Sequence, residues 1–368
     1  MKPGGAAELS RVIDQAIAKS RKRIKRQTEK FNQWRSERSK KFQKSFLDGH
    51  SIEVYTDGKT LLKERLKSIA AAKSSIYLST FIFNIDSSAV KIIKALCLKS
   101  RQGVDVRILA DSYGGKKFFR KYQRRLRSKC RIGILRFNPP AWGLEKIAYA
   151  LHEKLIIIDG ETLLMGGNGI ENSYHHIQPA KKFFYDFDMK IKGPVACWFQ
   201  QRFIETYRKS ILWDEPMGDP FTGRGNGRPR EIKEYLFGPS TFSNCNMNID
   251  YGNARVLPKY ANPLFKKERP IFDSYLGALL SSADNSEIKI YSPYFVPHDK
   301  YIAALIWARA RGMKVTIITN SIESNDAGAL TLVGMVYRVG RLIKSGVKIR
   351  LWQGPKTLHR KAGVFGNK

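Results

Sequence analysis

Two short stretches of the chain hold the residue types that phosphoryl chemistry needs. LHEKLIII (151–158) and LHRKAGVF (358–365) each read His-x-Lys followed by four mostly apolar residues. In a strand, residues i and i+2 point to the same face, so His152 and Lys154 project together, as do His359 and Lys361. An ammonium beside an imidazole disfavours the imidazolium, which leaves the ring neutral and able to act as nucleophile or base. The same ammonium can hold an anionic oxygen. Two such pairs facing one another place two histidines and two ammoniums around one anion. That set suits a phosphodiester. One His attacks phosphorus to form a covalent phosphohistidine, the other protonates the leaving alcohol, and the lysines stabilise charge on the non-bridging oxygens. The scheme calls on no metal and no cofactor. A lone His-x-Lys in a strand is usually structural; two at equivalent places in a repeat point to function.

The elements that must position these residues also occur twice. KSSIYLSTFIF (73–83), a helix, then RQGVDVRILAD (101–111) recurs as NSEIKIYSPYFVP (285–297), a helix, then ARGMKVTIITN (310–320). Each copy reads as a βαβ unit, which requires a parallel strand pair. Gly103 and Gly312 lie 209 residues apart, and His152 and His359 lie 207 apart, so the chemistry shares the offset of the repeat. The Gly-, Pro- and Arg-rich stretch DEPMGDPFTGRGNGRPR (214–230) reads as a linker. The expected architecture is α/β, a duplicated α/β/α sandwich of two pseudo-twofold-related halves with mixed sheets. The first half spans 49–213, the linker 214–235 and the second half 236–368. Ahead of them, residues 1–48 read as a basic amphipathic helical extension. Leu9, Val12, Ile13, Ala16 and Ile17 form an apolar stripe. Basic residues follow, then Phe31, Trp34, Phe42 and Phe46, a pattern that suits a membrane interface. Of the other histidines, His175 and His176 read as a loop near the site's mouth, and His50 and His298 as incidental.

The chain has 368 residues, 66 Lys and Arg against 32 Asp and Glu, and a formal charge of +34. An excess of that size implies an anionic partner: nucleic acid, an acidic membrane surface or a phosphate-bearing substrate. The charge is clustered, with nine Lys and Arg and no acid in residues 112–131. At 42% hydrophobic and 27% charged residues, wholesale disorder is excluded. No apolar run approaches the ~20 residues of a membrane span, and the N-terminal residues lack the apolar core of a secretory signal. Cys97, Cys130, Cys197 and Cys245 are scattered without CxxC spacing, which predicts free thiols in a reducing compartment. These features together predict a monomeric cytoplasmic protein that docks peripherally on the inner membrane.

HEKLIIID (152–159) resembles the HxKxxxxD signature of the phospholipase D superfamily, with Asp159 completing the match. LLMGGNG (163–169) is similar to the family's small-residue turn, and FYDFDMKIKGPV (184–195) to its Asp-strand-Gly-Pro segment. RFNPP (136–140), SPYFVP (292–297), TNSIESNDAG (319–328) and SGVKIRLWQ (345–353) are similar to the bacterial cardiolipin-synthase type. The resemblance implies two α/β/α halves around one shared site, and phosphatidyl transfer to an alcohol or to water through phosphohistidine. An anionic phospholipid such as phosphatidylglycerol would be the substrate. His152 would be the nucleophile and His359 the general acid, or the reverse, with Lys154 and Lys361 binding phosphate and Asp186 orienting His152. Asn168, with Gly166 and Gly167, would add phosphate contacts, although the family's Asn falls one position later, where Gly169 stands. From His359 the Asp of the signature falls on Gly366 and the chain stops at Lys368, so the second half is expected to be incomplete. Phe118, Phe119, Trp142 and Tyr149 are candidates for an apolar entrance, each read more readily as core. The alternatives are a metal-independent nuclease of the same superfamily and a catalytically impaired protein that binds anionic membranes.

Overall fold

The computed structural model describes residues 5–137, 150–180, 182–214, 244–259 and 270–366. Most of the expected linker, together with Trp142 and Tyr149, lies outside them. In chain order the first part holds α1 (Gly5–Gln43), β1 (Leu47–Tyr55), α2 (Gly58–Ala71), β2 (Ser75–Thr80), α3 (Ser87–Arg101), β3 (Asp105–Asp111), α4 (Lys116–Cys130) and β4 (Gly133–Phe137). Then come β5 (Lys154–Ile158), β6 (Thr162–Gly166), α5 (Asn172–His175), β7 (Phe184–Tyr185), β8 (Asp188–Lys192), α6 (Pro194–Asp214) and β9 (Ala254–Val256). The second part holds α7 (Pro270–Ser281), β10 (Glu287–Tyr291), α8 (Asp299–Ala310), β11 (Lys314–Asn320), α9 (Ala329–Lys344), β12 (Lys348–Trp352), β13 (Thr357–Leu358) and β14 (Ala362–Phe365).

Both predicted βαβ units form. β2 pairs parallel with β3 and β3 with β4, and the second sheet repeats this with β10, β11 and β12. The strand after each His-x-Lys runs antiparallel to the first strand of its unit, β5 on β2 and β14 on β10. The orders β4-β3-β2-β5 and β12-β11-β10-β14 therefore correspond. In the first half the sheet extends through β6, β8, β1 and β9. β9 lies in the stretch read as second half, yet it joins the first sheet through β1. All six residues of β2 are buried because helices cover both faces of this sheet. α2, α3 and α4 pack on one face around Ile76, Leu78 and Ile108, and α6 covers the other around Tyr77, Ile157 and Phe203. Among the described residues, the second sheet buries the face carrying Ile288, Ile290 and Ile317 and leaves Glu287 and Lys289 exposed on the other. Phe118 and Phe119 are core of the first half, so neither forms an apolar entrance.

α1 joins the two halves. Arg35 donates to the carbonyls of Leu280 and Ser282, both at 3.0 Å, where α7 ends with carbonyls that have no intrahelical partner. Phe31 lies against Trp307 at 5.8 Å between ring centroids, and Phe42 fills the space beside Gly277. Aromatic residues that read as membrane-facing are thus partly taken up by packing on the second half.

The cysteines correct the sequence reading. Cys97 bonds Cys130, tying α3 to the end of α4, and Cys197 bonds Cys245, tying α6 to the segment before β9. Partners 33 and 48 residues apart leave no short-spacing signal; the fold alone brings their Cα atoms to 5.1 and 5.4 Å. Structural disulfides belong to oxidising surroundings, and the expectation of a reducing compartment loses its basis. Among the described residues no helix is long and apolar enough to cross a membrane.

Candidate active site

Both His-x-Lys pairs sit where a loop enters the strand that closes its βαβ unit. Lys154 opens β5, and its Nζ lies 3.3 Å from His152 Nδ1 and donates to the His152 carbonyl at 2.7 Å. In the second half Lys361 Nζ lies 3.1 Å from His359 Nδ1 and donates to the His359 carbonyl at 2.7 Å. The geometry is the same to within a few tenths of an ångström, as a duplicated site requires.

The two loops are held by matching anchors. Asp111, the last residue of β3, accepts the N–H of Leu151 at 2.9 Å, one position before His152. Asn320, the last residue of β11, accepts the N–H of Leu358 at 3.0 Å and donates back to the Leu358 carbonyl at 2.8 Å. Both anchors are buried. They are the last residues of RQGVDVRILAD and ARGMKVTIITN, the equivalent strands of the repeat. Their offset of 209 was the available signal.

A short parallel pairing brings the halves together. Thr357 and Leu358 of β13 lie opposite Phe184 and Tyr185 of β7, and the His359 N–H donates to the Tyr185 carbonyl at 3.0 Å. The next residue on each strand is therefore Asp186 on one side and His359 on the other. Asp186 Oδ2 lies 2.7 Å from His359 Nδ1. This corrects the expected partner: Asp186 orients His359, from the opposite half, and not His152. With Nδ1 held by Asp186, His359 Nε2 lies 3.2 Å from Lys361 Nζ.

The remaining predicted residues support this core from behind. An ideal Cβ on Gly167 would fall 2.0 Å from Asp186 Oδ2, and one on Gly166 2.3 Å from Asp188 Oδ1. The glycine pair thus admits two carboxylates against the backbone. Asn168 is buried, and its side chain donates to Asp188 Oδ1 at 2.8 Å, which occupies the group expected to bind phosphate. Asp159 stands at the far end of β5, about 16 Å from Lys154 at ~3.3 Å per residue. There it accepts the backbone N–H groups of Lys73, Ser74 and Ser75 and so pins the start of β2. Asp159 is a structural staple, away from the chemistry. Beneath the turn, Arg65 pairs with Asp188 at 2.6 Å and donates to the carbonyls of Asn168 and Gly169. His175, read as a loop residue at the mouth, is instead fully buried with Nε2 3.0 Å from Arg65. Its pKa is driven well below the ordinary value by burial and by the guanidinium. His176 bridges the Gly58 N–H and the Phe184 carbonyl, His50 accepts the Val195 N–H, and His298 caps α8.

The electrostatics follow from burial and crowded positive charge. Burial, then Lys154, Lys361 and His359, lowers His152 to about 3, so the ring is neutral at physiological pH. Burial lowers Lys154 to about 7, with Lys361 acting in the same direction and Asp186 against it. Burial also lowers Lys361 to about 8, opposed by Asp186 and Asp326. His152 and Lys154 thus both feel the charge of Lys361 from the other half. Phe81 flanks His152 at 4.9 Å, while Tyr174 and Phe184 flank His359 at 5.6 and 5.3 Å, giving both imidazoles rigid apolar walls. Among the described residues no group of three or more His, Cys, Asp or Glu is arranged to hold a metal ion.

Two facing His-Lys pairs on a duplicated α/β frame define a phospholipase D-like architecture. The family model described as "Cardiolipin synthase, PLD-like domain" matches residues 66–179 and 276–368, more than half of the chain, and the chain belongs to that family. It is 27% identical over 318 residues to the major cardiolipin synthase ClsA of Bacillus subtilis (strain 168), covering 83% of this chain and 58% of that protein. It is 29% identical over 290 residues to cardiolipin synthase 1 of Bacillus anthracis, covering 76% and 52%. The chain thus spans little more than half the length of these relatives. Among solved structures, the phosphatidylserine synthase of Haemophilus influenzae Rd KW20 superposes with a TM-score of 0.58 at 18% identity, over 87% of this chain and 77% of that one. That likeness confirms the fold.

Proposed function

We propose that the protein transfers a phosphatidyl group from an anionic phospholipid to an alcohol or to water, with phosphatidylglycerol as the leading donor. The observation that carries this reading is the pairing of Asp186 with His359 across the seam, opposite a neutral His152. It gives the two imidazoles different tasks. His152, uncharged, attacks phosphorus through its free nitrogen while the phosphorus–oxygen bond to the leaving glycerol breaks. His359, carrying its proton on Nε2 and backed by the Asp186 carboxylate, gives that proton to the departing oxygen. In the second half-reaction His359 takes the proton of the incoming hydroxyl as its oxygen attacks phosphorus. The phosphorus–nitrogen bond breaks and His152 is restored. Lys154 and Lys361 hold the two non-bridging oxygens throughout.

The cardiolipin synthases among the relatives support a phospholipid substrate, and the resemblance of the motifs to that type favours phosphatidylglycerol as donor. The reading places the protein at a membrane surface, acting as a monomer since both pairs come from one chain. The test is mass spectrometry of phosphatidylglycerol vesicles after incubation with the protein, with His152→Ala as control. Cardiolipin or phosphatidic acid formed by the unmutated chain alone is the expected result. Plasmid cleavage by the same histidines, with lipid left intact, would overturn the reading in favour of a nuclease.

A further inference from the structure

The second half carries an apolar surface that its own core does not use. α9 turns Met335, Val339 and Leu342 inward onto the second sheet. On its opposite side Leu330, Val333, Val336, Tyr337 and Ile343 are exposed, Leu330 and Tyr337 each to 84%. At 100° per residue these five fall on one broad outward face. A further exposed apolar residue, Val296, adjoins the helix beside Gly334, and Ile322 is exposed in the connection that leads to it from Asn320. Monomeric soluble proteins rarely leave so many large apolar side chains together on one element.

The counterpart in the first half is built from the opposite material. α4 follows β3 as α9 follows β11, and it too buries an apolar side, Phe118, Phe119 and Leu126. Its outward side carries Lys116, Lys117, Arg120, Lys121, Arg124, Arg125 and Lys129, all exposed and with no acid among them. Both helices start just beyond the strand ends that anchor the His-x-Lys loops, Asp111 for α4 and Asn320 for α9. The connections that leave the two anchors thus lead into a cationic helix in one half and an apolar-faced helix in the other. Along α9 itself the exposed cations Arg341 and Lys344 border the apolar face toward its C-terminal end.

We propose that these two helix faces form one seat for an anionic phospholipid bilayer. The outward side of α9 enters the acyl boundary, and the cations of α4 meet the headgroups. The inference rests on the lipid reading of the site and extends it by naming the surface that presents the site to its substrate. Charge fixes the occupant: a protein of +34 with a cation-only helix beside an apolar one complements an acidic lipid surface. A second copy of this chain would carry the same positive charge.

The test is vesicle cosedimentation of the whole chain, with phosphatidylcholine vesicles that contain or lack phosphatidylglycerol. The triple variant Leu330→Ser, Val333→Ser, Tyr337→Ser removes only exposed groups, so its thermal midpoint should match that of the parent. Its partitioning onto phosphatidylglycerol-containing vesicles should fall at least about tenfold. Neutralising Lys116, Lys117, Arg120 and Lys121 to Gln should reduce partitioning by a similar factor and flatten its salt dependence. Unchanged partitioning of the triple variant would overturn the proposal. So would a parent chain that is dimeric without lipid and becomes monomeric on the triple substitution, since the face would then be a self-interface. Turnover of detergent-dispersed phosphatidylglycerol should be equal for parent and variants. Absence of turnover in the parent, with vesicle binding retained, would refute the enzymatic reading and leave the docking surface standing.

Discussion

In the proposed mechanism the two site lysines, Lys154 buried and Lys361 at the surface of the site, set a steep pH dependence. In the free site Lys154 sits at about 7 and Lys361 at about 8, both lowered chiefly by burial. Each must be an ammonium to hold a non-bridging phosphate oxygen, and an ammonium exists below its pKa. The fraction of free protein with both charged is about one half at pH 7, about one twentieth at pH 8 and about one thousandth at pH 9. His152, lowered to about 3, stays neutral throughout this window and imposes no acid limb there. Because kcat/KM reports the free enzyme, it should fall about tenfold from pH 7 to 8 and about 500-fold from pH 7 to 9, approaching a slope of −2.

The assay is initial-rate turnover of detergent-dispersed phosphatidylglycerol, which separates the site's titration from vesicle binding. Lys154→Arg supplies the control, since a guanidinium stays charged over the whole range. Its residual kcat/KM should decline with a slope shallower by about one unit, the contribution of Lys154. A flat profile between pH 7 and 9 in the unmutated protein would refute the assignment of both lysines as obligatory ammoniums. A slope of −2 that survives in Lys154→Arg would show that some other group titrates.

Three further outcomes follow from the same geometry. Asp186→Asn keeps an acceptor for the Phe187 N–H but removes the negative charge behind His359, so kcat should drop ~10²-fold or more with the thermal midpoint little changed. It should also move the alkaline limb of kcat/KM to lower pH, because the Asp186 carboxylate supports the charge of both lysines. Arg65→Met leaves Asp188 buried without its counter-charge and should cost about 3–5 kcal/mol of stability in chemical denaturation. Asp111→Ala, which frees the Leu151 N–H and lets the His152 loop shift by about 1 Å, should lower kcat up to ~10²-fold. Asp111→Asn preserves the acceptor and should restore most of that loss.

Much of this was legible in the residues, for a physical reason. Strand-helix-strand periodicity depends on local composition, and so the two βαβ units and their Gly103 and Gly312 turns stand out. A His-x-Lys pair is local too, since its two residues lie only two positions apart. What the sequence concealed depends on contacts distant along the chain. The partner of Asp186 is fixed by the pairing of β7 with β13, two residues each, between segments more than 170 positions apart. No periodicity reports a pairing so short. The disulfides and the adoption of β9 by the first sheet were hidden in the same way. Asp159, Asn168 and His175 carry chemically capable groups, and only the structure reveals that backbone amides, Asp188 and Arg65 already occupy them.

The seam also explains why two nearly superimposable pairs need not act alike. Within each half the lysine folds back on its own histidine with the same geometry, and so the internal contacts give both imidazoles one chemistry. The difference enters from outside each pair. Asp186 reaches across to His359 through the space that Gly167 leaves open. Among the described residues, no carboxylate is hydrogen-bonded to His152, whose Nδ1 faces Lys154 and whose ring lies against Phe81. A carboxylate steadies an imidazolium and an ammonium opposes one. This difference supports the proposed division of labour, with His359 as the acid and His152 as the neutral nucleophile. A duplication supplies two copies of one residue pair; in the proposed mechanism a single buried acid, shared unequally across the interface, turns them into nucleophile and acid.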